Sequence, residues 1–115
     1  LYIETQGAYA IPTEHGGLKI YSSTQGPTAV QRCVSRVTAL PMNLVEVDVT
    51  RLGGGFGGKE DQANAWAALC AVGAQLTRRP VKYALHRMED MRMTGKRHPY
   101  SADYKIGLDM DLKIA

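Results

Sequence analysis

"RLGGGFGGKE", residues 51–60, places five glycines in the six positions 53–58, interrupted by Phe56 and followed by Lys59 and Glu60. Glycine loses more conformational entropy on folding than any other residue. A cluster of this density is therefore costly unless the backbone must turn sharply or be approached closely. The stretch predicts a loop in which bare main chain faces another group.

The segments on either side of this loop predict a strand and a helix. Residues 43–50 alternate between apolar and polar side chains, the pattern of a strand with one buried face. Residues 60–76 are apolar nearly all round from position 65, which predicts a helix buried on several sides, with acidic residues in its first turn. The other predicted elements are strands at 2–11, 16–24, 80–86 and 101–114 and a helix from Pro27 to Pro41.

The order of these elements, β-β-α-β-α-β-β, predicts an α+β fold in which a mixed sheet carries two main helices. The charged segment 87–100 is predicted to be partly irregular. We expect residues 1–115 to form a single domain. Because the chain begins with Leu1 rather than Met, we also expect it to be a piece of a longer polypeptide, with an interface through which it could self-associate.

Composition argues against several classes of function. The net charge is only +3, and Glu89 and Asp90 interrupt the basic residues of the second half, which favours a solvated mixed-charge surface over a nucleic-acid site. No apolar run is long enough to cross a membrane. Cys33 and Cys70 lack the spacing of a metal or redox motif, which favours two reduced thiols in a cytoplasmic protein.

Two nucleotide-binding motifs compete for the loop. Gly53, Gly55 and Gly58 satisfy the dinucleotide fingerprint, but the acidic residue that should follow some 20 positions later is missing. Gly53, Gly58 and Lys59 fit a phosphate-binding P-loop, but Glu60 stands where a magnesium-binding hydroxyl is needed, and its carboxylate would repel a triphosphate. A non-catalytic nucleotide-binding module stays open as an alternative.

A ligand-free turn and an anion cradle are the other two interpretations. Glycines can let backbone pass close to backbone without any ligand. Successive N–H groups ahead of a helix can instead hold a large cofactor that carries oxyanions. In that case the Phe56 side chain would shield one side of the cofactor, and Glu60 could accept or share a proton with a bound substrate.

The loop resembles the cofactor loop of the molybdenum hydroxylases, the xanthine dehydrogenase and aldehyde oxidase family. Other segments resemble landmarks of that family in the same order, and together they cover nearly all of the chain. These segments are "YIET" at 2–5, "YSSTQGPTAVQ" at 21–31, "RMEDMRMTGKRHPY" at 87–100 and "YKIG" at 104–107. The resemblance implies a fragment of the molybdopterin-binding subunit, which is much longer than this chain.

The resemblance also implies roles for single residues in binding the molybdenum cofactor. Gln25 matches the glutamine that hydrogen-bonds an oxo ligand of the metal, a contact that an amide can make without bringing a charge. Phe56 and Gly57 match positions whose backbone lies against the metal centre, with N–H groups as fixed dipoles. Gly55 and Gly58 would shape the turn. No residue of the chain is expected to ligate the metal directly.

Glu60 matches the glutamate that orients the heterocycle in purine-hydroxylating members, a catalytic role in substrate orientation. Aldehyde-oxidising members tend to carry an apolar residue at this position, so that Glu60 favours a purine or similar N-heterocycle. A helix acid that only complements the helix dipole is the plain alternative. Arg97 and His98 are interpreted as structural residues rather than as substrate ligands, with His98 engaged in a hydrogen bond.

The family's general base and its substrate-polarising arginine lie beyond this stretch. The resemblance therefore implies an enzyme that hydroxylates a purine such as xanthine or hypoxanthine with oxygen from water, of which this fragment alone is inactive. The 2Fe-2S clusters and FAD would be carried by other domains or subunits, which become the expected partners. An aldehyde-oxidising member of the same family is the other possibility.

Overall fold

The computed structural model describes residues 1–96 and 98–114, which build a four-stranded mixed sheet covered by helices. The sheet order is β3-β2-β1-β4, with β1 antiparallel to both β2 and β4, and β2 parallel to β3. The strands are β1 (Gly7–Pro12), β2 (Leu18–Ser22), β3 (Val45–Asp48) and β4 (Val81–Ala84). The helices are α1 (Pro27–Thr38), α2 (Ala63–Thr77) and α3 (Arg87–Met93), with a 3₁₀ turn at Met42–Leu44.

Helices α1 and α2 pack side by side on one face of the sheet. Alternate strand residues such as Ala10 and Ile20 point into this layer and are fully buried. They meet Val30 and Val34 of α1 and the alanine-rich side of α2, whose small side chains let the helix lie close to the sheet. No helix in the described part of the chain is long and apolar enough to span a bilayer.

The structure confirms the α+β class, the mixed sheet and the two main helices, and it corrects the segment after β4. The charged stretch 87–100, predicted to be partly irregular, begins with α3, and its described residues after this helix are irregular. His86 begins this helix, since its side chain accepts a hydrogen bond from the Met88 N–H while Glu89 accepts one from the His86 N–H. This is a capping box with histidine in place of the usual serine or threonine.

The predicted final strand over 101–114 is wrong for the described residues. The segment alternates in sequence, but its residues are exposed, and its β-pairing is a single bridge between Leu108 and Ile114 of the segment itself. Alternation describes which side chains share a face, whereas a strand also needs a partner edge. Within the described residues, neither β3 nor β4 receives this segment.

Candidate functional site

The centre of the glycine loop is a tight turn between Gly55 and Gly58. The Gly58 N–H donates to the Gly55 carbonyl oxygen at 2.8 Å. Phe56 and Gly57 between them have φ angles of 52° and 80°, both left-handed as in a type I′ turn. That conformation is strained for phenylalanine, whose side chain is 66% exposed. A Cβ placed on Gly57 would meet no atom within 4 Å, so this part of the turn faces open space.

Gln25 reaches the turn from the segment between β2 and α1. Its Oε1 accepts hydrogen bonds from the Gly57 N–H at 3.0 Å and the Lys59 N–H at 3.3 Å. Its own N–H donates to the Lys59 carbonyl oxygen at 2.8 Å. Because the loop holds the oxygen of this planar amide, the NH₂ group turns away from the loop, and it has no hydrogen-bond partner among the described residues.

Gly55 makes room for that arrangement. A Cβ at this position would lie 2.3 Å from Gln25 Oε1 and 2.5 Å from its Cδ, closer than real contacts allow. The Gln25 carboxamide therefore occupies the space that a side chain at position 55 would need. The loop thus combines a buried glycine that admits an internal side chain with an exposed glycine, Gly57, that faces outward.

Glu60 follows Lys59 directly and lies outside helix α2, which begins at Ala63. The expected acidic first turn of this helix is therefore wrong, since the backbone makes turns and bends through residues 56–62 before the helix begins. Glu60 is exposed, and its side chain has no ion pair or hydrogen bond among the described residues. Its carbonyl oxygen lies near Gly26, at 3.9 Å from the position of a Cβ there, so Glu60 flanks the Gln25 segment.

Glu4 holds both ends of the loop, a role that the sequence motifs did not reveal. Its Oε2 accepts from the Ser23 hydroxyl at 2.6 Å, from the Gly53 N–H at 2.9 Å and from Lys59 Nζ at 2.9 Å. Partial burial raises the pKa of the Glu4 carboxyl, but the hydrogen bonds from Ser23, Lys59 and Gly53 lower this pKa by more, and it lies below its ordinary value. Glu4 is therefore held as a carboxylate.

A second carboxylate, Asp90 of α3, is fully buried and is connected to the loop through Gln6. It accepts from the Gln6 N–H at 2.7 Å and from the Tyr2 hydroxyl at 3.1 Å, and Thr94 also donates to it. Burial raises the pKa of Asp90, but these hydrogen bonds and the charge of Lys96 lower it by more, so its pKa lies below the ordinary value. Gln6 extends the network by donating from Nε2 to the Gly58 carbonyl oxygen at 2.8 Å.

These contacts explain why several distant segments accompany the glycine loop. Tyr2 and Glu4 lie in "YIET", Ser23 and Gln25 in the Ser-Thr-Gln segment, and Asp90 in the charged stretch after β4. The family landmarks were therefore the available signal for this network. The pairing of their side chains depends on the tertiary fold, since Glu4 and Lys59 are 55 positions apart.

A cleft of about 510 Å³ opens beside the turn. The backbone from Gly55 to Gly58 forms one wall, and Tyr2, Lys96 and Tyr100 contribute to the others. His98 also borders the cleft; it is exposed and has no hydrogen bond among the described residues, so its expected hydrogen-bonding role stays a prediction. Arg97 lies outside the described residues.

The structure argues against both nucleotide-binding interpretations of the loop. A P-loop lysine must reach phosphates, but the Lys59 side chain is 0% exposed and paired with Glu4. The dinucleotide fingerprint places its glycines at the start of the helix, whereas here α2 begins five residues after Gly58. In the described part of the chain, no group of three or more His, Cys, Asp and Glu side chains could hold a metal ion.

Comparison with known proteins identifies the family. Residues 1–115 match the family described as molybdopterin cofactor-binding domain. The chain is 44% identical over 114 residues to a xanthine dehydrogenase of Blastobotrys adeninivorans and 47% identical over 113 residues to an indole-3-acetaldehyde oxidase of Zea mays. Each alignment covers 98% of this chain and 8% of the relative, so the chain spans a small part of those proteins.

A solved structure shows the same arrangement of the chain. The aldehyde oxidoreductase of Desulfovibrio gigas superposes with a TM-score of 0.75 at 27% identity, over 84% of this chain and 10% of that protein. The glycine loop with its glutamine, the match over the whole chain and the curated relatives agree with one another. The chain belongs to the molybdopterin cofactor-binding domain family of the molybdenum hydroxylases.

Proposed function

We propose that the full-length protein is a molybdenum-dependent hydroxylase that oxidises an N-heterocycle, a purine such as xanthine or hypoxanthine, with water as the oxygen source. Residues 1–115 would be one unit of a larger cofactor-binding region. The observation that carries the proposal is the Gln25 carboxamide, held through its oxygen by the Gly57 and Lys59 N–H groups, with its NH₂ group turned outward.

The residues around the turn fit a molybdopterin cofactor. The Gln25 NH₂ group offers an uncharged donor without a partner among the described residues. Gly57 leaves its face of the turn free of a side chain, although its N–H donates to Gln25 Oε1 rather than outward. Phe56 would shield one side, while Gly55 and Gly58 give the turn its shape. When bound, the cofactor supplies the two-electron redox chemistry, and the residues of this chain hold and orient it.

Glu60 supports the purine as substrate. It is exposed directly after the loop, so its carboxylate is available to hydrogen-bond ring N–H groups of a heterocycle. An aldehyde-oxidising enzyme is the second candidate, because the chain is as similar to an indole-3-acetaldehyde oxidase as to a xanthine dehydrogenase. Overall identity therefore does not decide the substrate class, and Glu60 is the residue that favours the purine.

Metal analysis and one substitution in the full-length protein test this proposal. We expect molybdenum and pterin to copurify with the polypeptide. Glu60→Gln should lower kcat/KM for xanthine by about 10- to 100-fold, the loss of a charged hydrogen bond, and leave benzaldehyde oxidation nearly unchanged. Glu14→Gln, at an exposed turn between β1 and β2, is the matched control. Unchanged xanthine turnover in Glu60→Gln would contradict the role of Glu60 in substrate orientation. Benzaldehyde oxidation without xanthine turnover in the unsubstituted protein would favour the aldehyde candidate, and a protein without molybdenum would refute both.

The remaining apparatus would belong to other parts of the protein. We propose that the general base lies elsewhere in the molybdenum subunit and that 2Fe-2S and FAD groups on further domains or subunits accept the electrons. The 115-residue chain alone would then hydroxylate no substrate, and xanthine turnover by this chain would contradict that. Free thiols at Cys33 and Cys70 are compatible with the proposed cytoplasmic location.

A further inference from the structure

One oxygen atom of Glu4 connects three parts of the site. Glu4 Oε2 receives the Gly53 N–H at the start of the glycine stretch, Lys59 Nζ at its end, and the Ser23 hydroxyl two residues before Gln25. We call Glu4, Ser23 and Lys59 the loop clasp. The five glycines between 53 and 58 carry no side chains that could anchor the loop, so its position depends on backbone contacts such as those of Gln25 and Gln6 and on the clasp at its ends.

The Lys59 ammonium group makes its contacts inside the protein. Its side chain is fully buried, and Nζ donates to Ser23 Oγ at 2.6 Å as well as to Glu4 Oε2 at 2.9 Å. The third side of the ammonium group faces the Tyr2 ring, 4.8 Å from its centroid. Each donor direction thus has an internal partner, and a buried ammonium group is stable only when it is paired in this way.

The main chain of Lys59 connects the clasp to Gln25. The Lys59 carbonyl oxygen accepts from the Gln25 N–H at 2.8 Å and from the Thr24 hydroxyl at 3.0 Å. The Lys59 N–H donates to Gln25 Oε1 at 3.3 Å. The same residue therefore holds the backbone and the side chain of Gln25, and its own position is fixed by the ion pair between its buried ammonium group and Glu4.

We propose that Lys59, with Glu4 and Ser23, is a positioning residue that sets the direction in which Gln25 presents its NH₂ group to the cofactor. The inference rests on the proposed function for the identity of that cofactor, but the geometry of the clasp does not depend on it. Removing the clasp should leave the core between the sheet, α1 and α2 intact, because none of its three members belongs to that core. The effect is expected at the loop.

The test uses the full-length protein and three substitutions. Lys59→Met keeps the volume of the side chain and removes the ammonium group, and Ser23→Ala is the milder variant in case Lys59→Met does not fold. Lys19→Met is the matched control, because Lys19 forms an exposed pair with Glu46 at 2.8 Å on the sheet. Hydrogen–deuterium exchange is measured on protein from molybdate-free cultures. The loaded enzyme is studied by steady-state kinetics and by electron paramagnetic resonance of the partially reduced molybdenum centre.

We expect Lys59→Met to speed exchange of the Gly57 and Lys59 amides by about tenfold or more, the effect of losing a charged hydrogen bond, without change in α1 and α2. In the loaded enzyme, kcat should fall by about 10- to 100-fold with KM little changed, as for other residues that orient a ligand of a metal centre, and the resonance spectrum should shift. Ser23→Ala should show the same changes at smaller size, and Lys19→Met none.

Two results would overturn the inference. Unchanged exchange of the loop amides in both clasp variants would show that the loop does not depend on the clasp, whether or not the protein contains molybdenum. Faster exchange accompanied by an unchanged spectrum and unchanged kcat would show that the clasp holds the loop but does not position Gln25. A full-length protein without molybdenum would refute the proposed function instead, and the exchange measurement would still decide whether the clasp orders the loop.

Discussion

Replacing Gly55 with alanine should displace Gln25 while leaving the fold in place. The new Cβ would lie 2.3 Å from Gln25 Oε1, 2.5 Å from Cδ and 2.8 Å from Cγ, so the carboxamide must leave. Gln25 is an exposed and flexible side chain, and it can rotate into solvent without moving the backbone. The substitution therefore removes the hydrogen bonds from the Gly57 and Lys59 N–H groups to Oε1 and little else.

The expected loss of stability is about 1 kcal/mol. Two neutral hydrogen bonds contribute about 2 kcal/mol together. Gly57 is exposed, so water can replace its partner, and alanine gains about 0.4–1 kcal/mol over glycine by restricting the unfolded chain. Urea unfolding of the 115-residue chain, followed by the fluorescence of its sole tryptophan, Trp66, measures this difference. In the loaded full-length enzyme we expect a fall in kcat of about 10- to 100-fold.

A double-mutant cycle with Gln25→Ala separates this mechanism from general strain. Gln25→Ala removes the same two hydrogen bonds, and it also removes the atoms that the new Cβ would strike. When it is added to Gln25→Ala, Gly55→Ala should lower neither stability nor kcat any further, and the gain of about 0.4–1 kcal/mol from the restricted unfolded chain should become visible. Additive losses in the two variants would refute the reasoning, because they would show that Gly55 is needed for something other than the approach of Gln25.

Two further predictions concern the charged groups Glu4, Lys59 and Asp90. The pKa values of Glu4 and Asp90 lie below their ordinary values in the folded protein, so the unfolded chain binds more protons in that range. The free energy of unfolding should fall as pH drops below about 4, and Asp90→Asn should flatten that part of the profile in acid titrations of the urea midpoint. Glu4→Gln should lower the free energy of unfolding by about 3 kcal/mol, because it leaves the buried Lys59 ammonium group without a countercharge. Lys59→Met should lower the free energy of unfolding by only about 1 kcal/mol. The Glu4 carboxylate is 41% exposed, so water can hydrate it when the lysine is gone. Equal costs in urea unfolding would contradict this asymmetry.

Local sequence patterns were sufficient where a segment's structure depends on its own side chains. The alternating valines before the loop and the apolar run after it predicted β3 and α2, because each pattern matches the repeat of its element. The resemblance to a family also led to the expectation that Gln25 lies beside the glycine loop, and the structure places the two together. The roles of Gln25 and Glu60 toward a cofactor and a substrate stay predictions.

Elements stabilised by distant contacts were not predictable in this way. Helix α3 is short and charged, and its stability comes from the His86 cap and from Asp90, whose partners Tyr2 and Gln6 lie more than 80 residues earlier. Lys59 was considered only as a phosphate ligand, because its partner Glu4 belongs to a different segment. Sequence spacing gives no information on which carboxylate a buried lysine will meet.

The contacts of the loop also change the interpretation of its glycines. A cluster of glycines suggests that a ligand needs access to bare backbone, yet at Gly55 the space of the missing side chain is filled by Gln25 of the same chain. In this inward position the Gln25 oxygen accepts from the Gly57 and Lys59 N–H groups, and its NH₂ group turns outward. Gly57, in contrast, faces open space. Gly55 therefore makes room for a side chain of the same chain, whereas Gly57 leaves room outside it. Substitutions at the two positions should have different effects on Gln25 and on the cofactor. Gly55→Ala should release Gln25 from the loop. Gly57→Asn, with a residue that tolerates positive φ, should leave Gln25 in place and obstruct the cofactor.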